Sequence, residues 1–267
     1  MGIVNVTPDS FYDGDALKTP ASAVRHCLRL LDQGARILDL GGASSRPGAR
    51  EVAPEEEQAR LLPVLRGLRA RPPEQGTGRE AVVSVDTCRA STARLALEAG
   101  ADIVNDISAC ADPELLDVLA EYKPGYVLMH SDPAGMREGP RYAHVVDEAL
   151  HFFETELARL CAAGLAEQSI VLDPGIGFGK GLEDTVALLR GIARLRSLGR
   201  PLLAGLSMKS LFGDLLGLAP DRRGPATQVA TALLAGKGVA LHRVHDVAGA
   251  LDALRLAHCL GDAALES

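Results

Sequence analysis

The 267-residue sequence predicts a single-domain (β/α)8 barrel covering residues 1–267. Three observations point there. Eight short apolar runs read as buried strands. Segments with helical spacing separate them. Nearly every run ends in a polar or charged residue, and in a parallel α/β protein such residues gather at one mouth of the sheet. An open doubly wound sheet is the alternative, because periodicity alone does not exclude it. The first run is not followed by Gly-x-Gly-x-x-Gly, which weakens the dinucleotide-binding version of that alternative.

The elements follow in order. Ile3–Val6 is the first strand and runs into NVTPDSF, Asn5 to Phe11. Thr19-Pro20 opens a helix whose apolar stripe is Ala23, Cys27, Leu28 and Leu31, and Gly34 stops it. Ile37–Leu40 is the second strand, followed by the loop GGASSRPGA. The stretch RPPEQGTGRE, Arg71 to Glu80, leads into the third strand, Val82–Val85. As an αβ loop it belongs on the face away from the site and is assigned no function. A helix begins near Arg89 and closes at Gly100, ahead of Ile103–Val104. Asp112-Pro113 opens the next helix, ahead of Tyr126–Met129. Ile170–Leu172 runs into DPGIGFGK, Asp173 to Lys180. Leu202–Leu206 and Val239–Val244 complete the eight.

Composition narrows the function. The chain is 47% hydrophobic, enough for a large core without covalent staples. The formal net charge is −7 with no basic run, which argues against nucleic acid as a partner. Five cysteines, at 27, 88, 110, 161 and 259, are odd in number and show no metal-ligand spacing. They read as reduced thiols of a cytoplasmic protein, with Cys27 in the core. No signal peptide and no membrane-spanning run is found, so no membrane partner is expected.

The strand ends carry the chemistry. They are Asn5; Ser44, Ser45 and Arg46 in the second loop; Asp86; Asn105 with Asp106; Met129 with His130; Asp173; Lys209 with Ser210; and Arg243 with His245. A single Asp after a strand is often a helix cap. His130 reads as a core histidine, and His26, His144, His151 and His258 as helical residues without a role. Eight coincident polar ends are harder to set aside. Arg46, Lys209, Arg243 and His245 form a cationic half suited to phosphate or pyrophosphate. Asp86, Asn105 and Asp173 form a second half suited to the N–H-rich edge of a fused aminopyrimidinone. The glycines of GFGK let backbone approach a flat ligand closely. Asn5 offers a carbonyl oxygen to a hard cation such as Mg2+, which takes one or two protein oxygens plus substrate phosphates.

NVTPDSF, GGASSRPGA, SVDT, NDI, LMH, DPGIGFGK, the S-x-K-S turn and RVHDV occur in the order found in dihydropteroate synthases, and the resemblance spans essentially the whole chain. It implies a dimeric (β/α)8 barrel that condenses p-aminobenzoate with 6-hydroxymethyl-7,8-dihydropterin pyrophosphate and requires magnesium. Asp86, Asn105, Asp173 and Lys209 would hold the pterin, with Ile107 and Met129 packing on it. Asn5 would bind magnesium, and Arg243 and His245 the pyrophosphate. Ser45, Arg46, Phe178 and Ser210 would shape the p-aminobenzoate site. The catalytic set would be Lys209, Asp173, Arg243 and His245.

The chain departs from the family pattern at several points. Met208 stands where Ser-Arg-Lys-Ser has Arg, Ala43 where the second loop commonly has Glu, and Tyr12–Asp15 replace Ser-Asp-Gly-Gly. The chain begins almost at its first strand, so either a more exposed barrel bottom or a truncated start is expected. Two rival readings share the pterin half of the pocket. One is a methyltetrahydrofolate-type methyltransferase; the other is a non-catalytic pterin-binding paralogue. A Schiff-base aldolase using Lys209 fits less well, because such a lysine wants an apolar setting.

Overall fold

The computed structural model describes residues 1–7, 19–43, 52–70, 81–131 and 142–261. Six strands pair in parallel and in sequence order: β1 (Gly2–Asn5), β2 (Ile37–Gly41), β3 (Val82–Asp86), β4 (Ile103–Asp106), β5 (Gly125–Met129) and β6 (Ile170–Asp173). A parallel pair follows, β7 (Leu203–Ala204) and β8 (Leu241–His242). Two single bridges close the ring: Leu172 pairs with Leu202 between β6 and β7, and Gly2 pairs with Val244 between β8 and β1. The closed (β/α)8 barrel therefore replaces the open sheet. The last two expected strands, Leu202–Leu206 and Val239–Val244, keep only two ladder residues each.

The helices are α1 (Pro20–Asp32), α2 (Pro54–Arg69), α3 (Ala90–Glu98), α4 (Pro113–Tyr122), α5 (Val145–Ala162), α6 (Leu182–Gly191), α7 (Leu211–Leu216), α8 (Gly224–Ala235) and α9 (Val247–Leu260). Their ends follow the sequence signals. Thr19 and Ser22 form a reciprocal capping box at α1. Asp112 accepts from the Glu114 N–H at the start of α4. Gly34 and Gly100 both adopt φ of +100°, just past α1 and α3. His144 is the residue before α5 rather than part of it.

Strand alternation separates two interiors. Val4, Leu38, Leu40, Val83 and Val85 point outward and pack with α1 and α2 side chains such as Cys27, Leu30, Leu61 and Leu65. A second cluster joins Tyr126, Leu128, Phe153, Leu160 and Leu188 around β4 to β7. The intervening positions face the barrel axis and include Asp39, Ser84 and Asn105, all buried. Asp106 is on the outward set. Its carboxylate accepts from the Ser108 and Cys110 N–H groups, the Ser108 hydroxyl and the Tyr126 hydroxyl. It is thus a structural anchor for the loop after β4, where Ala109 and Cys110 adopt left-handed backbone. Among the described residues no helix is long and apolar enough to cross a membrane.

Candidate active site

The strand C-termini bring the expected residues to one mouth. Arg243 follows β8 and donates from Nε to Asp39 Oδ2 at 2.6 Å and from Nη2 to Asp86 Oδ2 at 2.8 Å. Asp39 Oδ2 also accepts from Asn105 Nδ2 at 3.1 Å. Asp173 ends β6 beside Met129 of β5 in register, and its Oδ1 accepts from the Gly175 N–H at 2.8 Å. Lys209 comes up from the turn after β7. Its ammonium donates to the Ile176 carbonyl and lies 4.5 Å from the centre of the Phe178 ring.

The division into a cationic and an anionic half is therefore redrawn. Arg243 does not stand apart with the phosphate-binding groups; it is embedded between two carboxylates. Asp39 is fully buried, and a buried carboxylate needs a cation or several donors. The arginine is the cation the barrel interior supplies. Its guanidinium is held protonated above its usual range; burial opposes this, and Asp39 and Asp86 overcome it. Burial raises the Asp86 carboxyl above the usual carboxylate range despite Arg243, and the Asp39 charge adds to the rise. Burial also raises Asp173, against the pull of Lys209, the Gly175 N–H and Arg243. Lys209 is lowered to about 8 by burial, with Asp173 opposing. Asp173 and Arg243 thus act on one another in a single site.

Other expected residues cluster around this network. Asn5 ends β1 beside Gly41 in register. A Cβ on Gly41 would lie 3.5 Å from Asn5 Oδ1 and 3.8 Å from Asp86 Oδ2. The missing side chain thus leaves a small cradle flanked by two oxygens. Ile107 is half-buried, and its carbonyl accepts from Ser131 Oγ at 2.5 Å. Ser207 Oγ lies 2.9 Å from His245 Nδ1. Ser210 is exposed at the rim, just before α7. His130 is buried against the rings of Tyr142, Phe152 and Phe153, in keeping with a core residue. Ser44, Ser45, Arg46 and Tyr12–Asp15 lie outside the described residues, as does the loop Arg71 to Glu80.

Sequence reasoning missed three participants. Asp39 sits inside the apolar run ILDLG, and its signal was a lone carboxylate in a strand otherwise fit for burial. Lys180 is buried and donates to the carbonyls of His130 (2.8 Å), Gly175 (3.1 Å) and Phe178 (3.2 Å). It pins the loop after β6 to the end of β5. Gly175 is required there: its φ is +66°, and a Cβ would collide with the His130 carbonyl oxygen. Ser207 stands out in the sequence only as the first residue of the S-x-K-S turn.

Comparison with known proteins agrees with this geometry. The family described as pterin binding enzyme matches residues 1–245. The dihydropteroate synthase of Escherichia coli (strain K12) is 39% identical over 258 residues, covering 96% of this chain and 89% of the relative. That of Neisseria meningitidis serogroup B is 42% identical over 270 residues, covering 98% and 92%. The solved dihydropteroate synthase of Xanthomonas albilineans with 4-aminobenzoic acid superposes with a TM-score of 0.88 at 42% identity, covering 97% of this chain and 91% of that one. The same enzyme in complex with 7,8-dihydropteroate gives 0.84 at 40% identity, covering 97% and 92%. With its closed barrel, its strand-end residues and this nearly full-length likeness, the chain belongs to the dihydropteroate synthase family of pterin-binding enzymes.

Proposed function

We propose that this chain is a dihydropteroate synthase. It condenses 6-hydroxymethyl-7,8-dihydropterin pyrophosphate with p-aminobenzoate, giving 7,8-dihydropteroate and pyrophosphate. The observation that carries the reading is the meeting, in one barrel mouth, of Asp86, Asn105, Asp173, Lys209 and Arg243. Relatives at 40–42% identity bind 4-aminobenzoic acid or 7,8-dihydropteroate, which supports the same assignment.

Each residue then has a task. Asp173, Asn105 and Asp86 take the N–H-rich edge of the pterin, with Ile107 and Met129 against its faces. Carboxylates suit this because one group can accept two parallel N–H bonds. Arg243 and His245 stabilise the negative charge that develops on the departing diphosphate. The pterin methylene is left electron-poor, and the neutral aryl amine attacks it. An aryl amine is nucleophilic at neutral pH, so no strong general base is needed; once the C–N bond has formed, the cationic nitrogen loses its extra proton to the released diphosphate. Lys209 contributes charge beside Phe178, which forms one wall of the p-aminobenzoate pocket together with Ser210.

Magnesium fits the donor set. The Asn5 carboxamide oxygen, beside the opening over Gly41, would hold the ion, with diphosphate oxygens and water completing its shell. When bound, it would neutralise charge on the diphosphate. Among the described residues there is no group of three or more His, Cys, Asp or Glu that could hold a metal by itself.

The same proposal includes a homodimer in the cytoplasm. Val229 and Leu233 of α8 and Leu256 and Leu260 of α9 are each about 60–75% exposed on neighbouring helices. Such a patch on the outer ring is a reason for a second copy to cover it. Light scattering would give twice the 28.0 kDa chain mass.

One assay tests the activity. With both substrates and Mg2+, dihydropteroate and pyrophosphate should appear in equal amounts. Pterin binding without turnover would favour a non-catalytic paralogue. Methyl transfer from a methylated folate, with no pyrophosphate released, would favour the methyltransferase.

A further inference from the structure

We propose that Ser207 is a positioning residue that fixes the His245 imidazole in its Nε2–H tautomer, so that the ring presents a neutral N–H donor to the leaving diphosphate. The proposal rests on the functional reading above and adds a group to it.

The two residues are 38 positions apart in sequence and meet just beyond the ends of β7 and β8. Ser207 Oγ accepts from the His245 backbone N–H at 3.2 Å and lies 2.9 Å from His245 Nδ1. A hydroxyl has one proton to donate and two lone pairs to accept with. The backbone N–H occupies one lone pair. Among the described residues Nδ1 is the one acceptor in reach of this hydroxyl, and its proton is assigned there. Nδ1 is then an acceptor, and the ring proton of neutral imidazole resides on Nε2. The opposite tautomer would crowd two N–H groups onto one oxygen and leave the hydroxyl proton only solvent to bond with.

The rest of the turn explains why Ser207 stays in place. Met208 adopts left-handed backbone, with φ of +59°, which costs energy for any residue with a side chain. Thr227 of α8 and Arg223, the residue just before that helix, hold it there from both sides. The Met208 N–H donates to Thr227 Oγ1 at 3.2 Å, and the Met208 carbonyl accepts from Arg223 Nη1 at 3.2 Å. Thr227 Oγ1 in turn donates to the Arg223 carbonyl at 2.9 Å. The clamped turn sends Ser207 toward β8 and Lys209 over Phe178. The ladder between β7 and β8 is only two residues long, and the Ser207–His245 contact continues that pairing with a side chain. A neutral donor suits this position because it stabilises growing charge on oxygen without giving its proton away.

The test uses the full chain labelled with 15N-histidine, with His245→Gln to assign the ring resonances. The parent should show the Nε2–H signature at His245. Ser207→Ala should show a mixture of tautomers and lose about tenfold in kcat, with the KM for p-aminobenzoate held within about twofold. Ser207→Thr, which keeps the hydroxyl, should restore both the signature and the rate. An Nδ1–H signature in the parent, or a Ser207→Ala spectrum unchanged from the parent, would overturn the proposal. So would unchanged kcat in Ser207→Ala. If the parent made no dihydropteroate, the functional reading would fall, and the ring spectra would still decide which nitrogen carries the proton.

Discussion

The strands β1–β6 and the pair β7–β8 complete the same ring by different means. Strands β1–β6 are four or five residues long and meet in continuous ladders. The pair keeps two residues per strand and joins its neighbours through single bridges. The carboxylates and the carboxamides stand on the long ladders, so backbone pairing fixes the points from which their side chains start. Ser207, Lys209, Ser210, Arg243 and His245 extend from the short pair. There, side chains supply the order that the ladder lacks: Arg243 onto Asp39 and Asp86, Ser207 onto His245, and Arg223 and Thr227 onto Met208. The difference teaches that the anionic wall is a scaffold, and that Arg243, the cation set deepest in the mouth, is held in place by it.

The sharpest way to break that dependence is Asp39→Ala. It removes a buried partner of Arg243 and the acceptor of Asn105 together. Breaking a buried ion pair from one side costs about 3–5 kcal/mol, so urea unfolding should show a loss of that order, with activity nearly abolished. Stability within about 1 kcal/mol of the parent would mean that the scaffold does not need this carboxylate.

Next in size is Asp173→Asn, which leaves the ladder intact and changes only the acceptor. A charged hydrogen bond is worth about 2–3 kcal/mol, so kcat/KM for the dihydropterin pyrophosphate should fall about 30- to 150-fold. Activity within twofold of the parent would contradict the assignment.

The short pair is probed by pH. Lys209 carries its charge below its pKa and loses it above. With that pKa lowered to about 8 by burial, kcat/KM should decline as pH rises through about 8. An unperturbed lysine would hold the rate to about pH 10. Lys209→Arg, whose guanidinium stays charged, should remove the decline, whatever its absolute rate.

The smallest effect is expected at Met208. Met208→Gly relieves the left-handed conformation, so thermal unfolding should shift by at most about 1 kcal/mol in the stabilising direction. A loss of several kcal/mol would show that the methionine side chain packs in a way its backbone does not reveal.

Much of this was legible before the structure. Apolar runs, capping pairs and stop glycines marked the strands and the start of α1 and α4, because those signals are local. The mouth residues were legible because strand ends converge in any parallel barrel. Their pairing was not. Asp39 and Arg243 are 204 residues apart, and the lone carboxylate in its apolar strand does not say which distant cation meets it. Asp106 and Asp86 look alike as strand-end acids, yet one faces the helices and the other the axis. A shift of one position in a period-two strand decides between them. In the sequence Met208 stands for a missing charge, whereas its backbone angle is what shapes the turn.

Lys180 behaves like an internal alkali ion. Its ammonium is solvated by three backbone oxygens drawn from the end of β5 and the loop after β6. One atom therefore ties two neighbouring strand-end segments together, so neither shifts without the other. A ligand resting against Phe178 would therefore feel a disturbance at His130 through this shared cation.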